Sequence, residues 1–516
     1  MFARQHALEH PDKPAIVMAT SGDTLTFVEY EARCNATAHL LRAAGLQRGD
    51  HIAVFMENQP RLLEIEGAAE RAGLYYTLIN IYLAPDEVAY IITNSQSRLL
   101  FSSAARQPVA VAAAAQCPQL EGLFMTDTDS PPPGWQSYET TVTGLPADPI
   151  PDESLGAAML YSSGTTGQPK GILRQLPDDA PSDPLPVMQF VTAMFGFRPS
   201  MTYLNPAPLY HSAPQASVGA SIRLGATTVV MEHFDAQQWL ALVERYRVTN
   251  CQMVPSMFSR LLRLPAEVRE RYDTSSLECI VHAAAPCPEH IKRGMIDWLG
   301  PIITEYYGAT EANGFTFCDS AQWLAHPGTV GSPILGELLI LDEDGSQCPA
   351  GTDGTVWFRG ATAFQYFQEP EKTAASRTTD GMTSTVGDVG HVDDEGYLYL
   401  TDRKSYMIIS GGVNIYPQET ENLLSAHPAV LDVAVIGVPN EDLGEEVKAV
   451  VQLADPDSAG PELAQELISY CRDRMAHFKC PRTVDFVAEL PRTETGKLVK
   501  RLLRDKYWTG HKTSIV

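Results

Sequence analysis

The chain has 516 residues, 44% of them hydrophobic and 20% charged, which is the composition of a soluble globular protein too long for one hydrophobic core. A formal net charge of −25 argues against binding to polyanions such as nucleic acid, so any small anionic ligand has to be met by a local cluster of Lys and Arg. Nine scattered cysteines, odd in number and without a C-x-x-C pair, read as free thiols and place the chain in a reducing cytoplasm.

The N-terminal MFARQHALEHPDKP lacks a basic region followed by an apolar core, so no secretory signal is expected. Short apolar runs then alternate with amphipathic stretches: IAVFM at 52–56, a helical RLLEIEGAAERAG at 61–73, LYYTLIN at 74–80, a helical EVAYIITNS at 87–95 and RLLFSS at 98–103. This alternation predicts a layered α/β domain. DSPPPGW at 129–135 and the acidic LPDDAPSDPLP at 176–186 are proline-rich loops. VMQFVTAMFGF at 187–197 is too short to cross a bilayer and predicts a buried helix, which leaves only a peripheral membrane contact open.

Between the first loops lies YSSGTTGQPKG, Tyr161 to Gly171, which puts glycines, four Ser and Thr hydroxyls and one lysine into a single stretch. Glycines let backbone N–H groups turn inward around a phosphate, and Lys170 adds a point charge. It is not a Walker A loop, because Pro169 precedes Lys170 and Gly171 follows it where Ser or Thr would be required. An ordinary polar surface loop is the competing reading. Farther along come PLYHSAP at 208–214, EYYGATE at 305–311, VGDVG at 386–390, TDRK at 401–404, SGGVNIYP at 410–417 and RTETGKLVK at 492–500. After TDRK the texture changes to a compact unit in which VLDVAVIGV and VKAVVQL alternate as strands, and ELAQELISYCRDRM carries Leu463, Leu467, Cys471 and Met475 on one helical face.

Taken in this order, from HPDKPAIV near the N-terminus to Lys497, these motifs resemble those of the acyl-adenylate-forming superfamily of AMP-binding enzymes, and most of all actinobacterial-type fatty acyl-CoA synthetases. The resemblance implies a large multi-subdomain N-terminal domain of layered α/β sheets, residues 1–402, and a small mobile α+β C-terminal lid, residues 403–516. The lid of such enzymes rotates between an adenylating and a thioester-forming arrangement. ATP, Mg²⁺ and coenzyme A are the implied cofactor and co-substrates, and a small carboxylic acid is the implied partner.

The resemblance also assigns roles. Ser163, Thr165, Thr166 and Lys170 cradle the β- and γ-phosphates, Thr310 meets the α-phosphate, and Glu311 holds Mg²⁺ through phosphate oxygens. A lone Thr-Glu pair would serve as a helix cap. Tyr307 stacks on adenine, and Ala284 and Ala285 form part of the adenine and acyl wall, where this chain has Ala283 and Ala284 in place of the usual glycines. Asp388 accepts the ribose hydroxyls with Arg403 beside it; the threonine common before that Gly-Asp is Val386, so its contact is lost or supplied by Thr385. Ser405 stands at the hinge, Lys497 bridges carboxylate and ATP, His211 lies beside the acyl carboxylate, and Gly412 lets pantetheine pass.

The expected activity is an ATP-dependent acid–CoA ligase acting on a medium-chain, long-chain or bulky hydrophobic acid, with an aromatic acid of the benzoate or cinnamate type as the alternative. An amino-acid-activating domain would need an aspartate in the segment occupied by PLYHSAP. A luciferase-type oxygenase and a catalytically silent nucleotide-binding module are the remaining rivals. The acid and the oligomeric state are not encoded in any motif.

Overall fold

A computed structural model describes residues 1–161, 169–360, 364–403, 406–411, 413–440, 442–493 and 497–509. The described strands form five sheets. One, nine-stranded, runs in the order Ser332–Leu335, Phe315–Cys318, Ile303–Gly308, Cys279–His282, Asn250–Met253, Thr202–Asn205, Thr227–Val230, Pro14–Met18 and Thr24–Thr26. A second, six-stranded, is built around His51–Phe55, Tyr75–Leu78 and Leu99–Ser103. These three strands are parallel and every residue in them is buried, as in parallel sheets covered on both faces.

Helices start where the local chemistry satisfies their free N–H groups. Thr26 and Glu29 form a reciprocal capping box for Phe27–Ala43, and the Asp235 side chain accepts from Gln238 N at the start of Ala236–Tyr246. The stretch expected as a helix at 61–73 is Pro60–Arg71, whose terminal Arg71 is buried and bonded by both guanidinium ends to Glu31 at 2.9 and 3.0 Å. VMQFVTAMF lies in the helix Pro186–Phe195, but the helix is not buried as expected: only Val191 and Phe195 are buried, while Pro186, Val187, Gln189, Thr192 and Ala193 are exposed, so one face alone packs on the core.

Two smaller sheets complete the larger unit: Leu160–Tyr161 with Gly171–Leu173 and Gln365–Tyr366, and a five-stranded sheet containing Asp388–Val392 and Leu398–Arg403. The C-terminal unit has its own sheet, with Gly444–Leu453 at its centre and Val430–Asn440 antiparallel to it at the edge. The helix Pro461–Arg472 covers it, burying Leu467, Ile468 and Cys471, with Leu463 and Met475 half-buried against the same core. The expected α/β architecture, a large N-terminal unit of several sheets and a small C-terminal α+β unit, is the one found.

Candidate active site

The strand order of the nine-stranded sheet reverses at Thr202–Asn205: Thr227–Val230 lies parallel on one side of it and Asn250–Met253 parallel on the other. Such a reversal opens a crevice beyond the carboxyl ends of the strands, because the two flanking connections leave in opposite directions. The segments following these ends are 206–211, 283–286 and 309–311, so chain topology alone gathers His211, Ala284, Ala285, Thr310 and Glu311 at one edge.

His211 precedes the helix Ser212–Arg223 and is half-buried, with its Nε2 atom buried and without a hydrogen-bond partner among the described residues. Burial, and then the nearby Lys497 cation, push its imidazole down to about 4, so it is neutral at physiological pH. Ala283 is buried, whereas Ala284 is exposed with φ +75°, a left-handed conformation that costs an alanine about 1–2 kcal/mol. Only the first of the two extra methyl groups therefore enters the packed interior.

The strand Ile303–Gly308 delivers Tyr307 and then the turn with Thr310 and Glu311. A Cβ on Gly308 would collide with the Phe315 ring of the neighbouring strand, so glycine is required there by a protein contact as well as by any ligand. Glu311 is 8% exposed and its Oε1 accepts the Tyr366 hydroxyl at 2.9 Å, while Arg174 Nη2 donates to the Thr310 carbonyl. The Lys170 ammonium lies 4.5 Å from the Tyr366 ring centroid. Ser163, Thr165 and Thr166, between Tyr161 and Lys170, fall outside the described residues, as do Gly412 and Ser405.

Asp388 is 5% exposed and has a partner on each oxygen: Tyr307 OH donates to Oδ2 at 2.6 Å, and Arg403 Nε is ion-paired with Oδ1 at 2.9 Å. Burial and the Asp388 charge hold the Tyr307 hydroxyl far above the usual phenol range, so it remains a donor. Thr385 does not replace the missing threonine as a ligand donor: its hydroxyl donates to the Val356 carbonyl at 2.7 Å and accepts from Gly387 N at 3.0 Å, closing the turn before Asp388.

Lys497 reaches this site from the C-terminal unit. Burial, then the Arg403 cation, lower its ammonium to about 8, opposed by the Asp388 and Glu311 carboxylates. The two units are tied nearby by Arg263 Nη2 donating to the Leu431 carbonyl at 2.5 Å and by Gln418 N donating to Asp402 at 2.9 Å. Lys497, His211, Glu311, Asp388 and Arg403 thus share one electrostatic environment although they span almost 300 positions of sequence. The described residues contain no group of three or more His, Cys, Asp or Glu able to hold a metal. A single buried carboxylate nevertheless suits Mg²⁺, which is commonly bound by one or two carboxylates plus substrate phosphates and water.

Sequence reasoning missed Arg174 and Tyr366. The signal for Arg174 was a charged residue following the apolar Gly171–Leu173 so soon after Lys170; Tyr366 sits in FQYF, where no local pattern separates it from a core aromatic.

The family model for AMP-binding enzymes matches residues 3–367, and the model for the AMP-binding enzyme C-terminal domain matches residues 419–497. The chain belongs to the AMP-binding enzymes. This AMP-binding enzyme is 30% identical over 517 residues to the fatty acid–[acyl-carrier-protein] ligase ScoC of Streptomyces coeruleorubidus, covering 98% of this chain and 95% of that protein. It is 29% identical over 520 residues to the long-chain-fatty-acid–CoA ligase FadD13 of Mycobacterium tuberculosis, covering 98% and 97%. Among solved structures, the anthranilate CoA ligase AuaEII in complex with anthranoyl-AMP superposes with a TM-score of 0.85 at 26% identity, covering 98% of this chain and 96% of that one.

Proposed function

We propose that this AMP-binding enzyme is an ATP-dependent acid–CoA ligase that forms an acyl-AMP intermediate and then an acyl-CoA thioester. What supports the reading is that Lys497, from the C-terminal unit, lies close enough to interact electrostatically with Glu311, Asp388, Arg403 and His211 of the larger one, with Asp388 itself held by Tyr307 and Arg403. A carboxylate and the α-phosphate of ATP repel until charge is neutralised between them, and a partly desolvated lysine placed there is worth far more than one in water. Bound Mg²⁺ would neutralise phosphate charge beside Glu311.

In this reading Asp388, oriented by Tyr307 and Arg403, holds the ribose, and Thr310 and Lys170 face the phosphates together with Ser163, Thr165 and Thr166. Lys497 stabilises the charge that develops as a carboxylate oxygen forms a bond to the α-phosphorus and the bond to pyrophosphate breaks. Neutral His211 offers Nε2 to the acid. The sulfur of coenzyme A then attacks the acyl carbon and AMP leaves, so no protein cysteine is required. Gly412 leaves the pantetheine path open, and Ala284 and Ala285 line the adenine and acyl wall. The domain boundary is proposed at 402/403, and the bonding of Leu398–Arg403 into the larger unit and of Ile408–Ser410 into the smaller supports a boundary in this stretch.

The acid is proposed to be medium-chain, long-chain or bulky and hydrophobic. Half-buried Phe190, Tyr306 and Phe315 pack against one another beside Gly308, with centroid distances of 5.8 Å for Phe190–Phe315 and 5.9 Å for Tyr306–Phe315. The same rings support the second reading, an aromatic acid. Free cysteines throughout the described chain favour a reducing compartment, proposed as the cytoplasm; no described helix is long and apolar enough to cross a membrane. The test is pyrophosphate release with ATP, Mg²⁺ and a panel of aliphatic, aromatic and steroid-like acids, with coenzyme A added afterwards. Acid-independent release of ADP would refute the reading.

A further inference from the structure

The strands Leu160–Tyr161 and Gly171–Leu173 flank the expected phosphate loop, and Gln365–Tyr366 pairs with the second of them, Tyr366 opposite Ile172. Two side chains leave this small sheet for the Thr310–Glu311 turn. Tyr366 donates its hydroxyl to Glu311 Oε1 at 2.9 Å and presents its ring face to Lys170, 4.5 Å away. Arg174, directly after the middle strand, donates to the Thr310 carbonyl, and its own carbonyl accepts the Tyr75 hydroxyl at 2.7 Å. The turn itself is strained, since Ala312 has φ +53°, so its shape depends on such ties.

We infer that Tyr366 and Arg174 are positioning residues that lock Glu311 in register with Lys170 and the strand Gly171–Leu173. This rests on the reading of Glu311 as the Mg²⁺-facing carboxylate. Holding Oε1 restricts how the carboxylate can turn and would leave Oε2 for Mg²⁺ when it is bound, the way outer partners orient metal ligands generally. Packing alone does not account for the hydroxyl: the ring already contributes to the small cluster of Ile172, Phe364 and Tyr366.

Tyr366→Phe keeps the ring and removes only the donor. Calorimetric titration of the full chain with α,β-methylene-ATP, with and without Mg²⁺, is the direct test. The expected result is that Tyr366→Phe weakens nucleotide binding about tenfold in the presence of Mg²⁺ and leaves Mg²⁺-free binding unchanged. Half-saturating Mg²⁺ for pyrophosphate release rises by the same factor. In a Glu311→Gln background Tyr366→Phe adds nothing. Arg174→Ala shifts the Mg²⁺ requirement in the same direction and Arg174→Lys recovers part of it, which carries the test if Tyr366→Phe does not fold. Wild-type affinity in Tyr366→Phe, equal weakening with and without Mg²⁺, or further weakening in the Glu311→Gln background would overturn the inference. If Glu311→Gln itself keeps the wild-type Mg²⁺ dependence, the metal role of Glu311 falls and the inference with it; if only Tyr366→Phe does, the brace alone is wrong.

Discussion

Asp388 and Arg403 face each other across two antiparallel strands, in direct register, with Arg403 Nε 2.9 Å from Asp388 Oδ1. The pair is therefore built by sheet hydrogen bonding before any ligand arrives. Because Tyr307 already occupies Oδ2, ribose hydroxyls have to use the remaining lone pairs of the carboxylate, which has about four acceptor positions in all.

Asp388→Asn removes the charge that pairs with Arg403 and accepts the Tyr307 hydroxyl, and puts an amide that only donates in place of one oxygen. Losing one buried charge-assisted bond costs about 1.5–3 kcal/mol. The variant is expected to have a lower denaturation midpoint and a KM for ATP raised at least about tenfold, a shift of roughly 1.4 kcal/mol. A wild-type KM for ATP would remove Asp388 from the ribose site.

Lys497 and Gly412 separate the two half-reactions. Lys497→Ala is expected to abolish acyl-AMP formation yet convert supplied acyl-AMP and coenzyme A to thioester, because the cation is needed only where carboxylate meets α-phosphate. Gly412→Leu is expected to do the reverse by filling the pantetheine path. Single-turnover assays with synthetic adenylate decide it, and equal loss of both steps in each variant would contradict a two-arrangement mechanism.

The ammonium of Lys497, lowered to about 8 from 10.5, makes adenylation sensitive to alkali. Its cationic fraction falls as pH rises through about 8, so kcat/KM for pyrophosphate release without coenzyme A should decline above that pH, since this ratio reports the free enzyme. The kcat limb should lie higher, because bound anions favour the cation. Between about 8 and 10.5 the unfolded chain holds this proton and the folded one does not, so this group's contribution to stability rises with pH. Asp388→Asn should move the kcat/KM limb to lower pH. A limb that stays in place would mean that another group controls it.

Ala284 and Ala283 are expected to respond oppositely to glycine. At φ +75° glycine relieves strain of about 1–2 kcal/mol, partly offset by its greater freedom when unfolded, so Ala284→Gly should be neutral or stabilising by up to about 1 kcal/mol. Ala283→Gly removes a buried methyl and should destabilise by about 1 kcal/mol. Thermal denaturation of both variants checks this, and acid profiles show which methyl bounds the acyl tunnel.

Local pattern made much of the fold legible. The alternation of apolar and amphipathic runs reports which surfaces need covering, and this suffices for the layered sheets, for Pro60–Arg71 and for the C-terminal unit with its Leu467 and Cys471 face. Motif chemistry likewise nominated Glu311, Asp388, Arg403 and Lys497, since a run of unusual residue types at set spacing is a local property.

What local pattern could not carry is who meets whom. That Tyr307 spends its hydroxyl on Asp388, that Thr385 is committed to its own turn, and that Tyr366 rather than a nearer residue holds Glu311 are consequences of strand register between segments far apart in the chain. The same holds for Ala284: composition marked it as a departure, but only backbone geometry shows that its methyl points away from the packed interior. Sequence determined the inventory of charges and hydroxyls, whereas the lowering of Lys497 to about 8 was decided by tertiary structure, because desolvation and Coulomb energy depend on distance and burial, which a linear string does not contain.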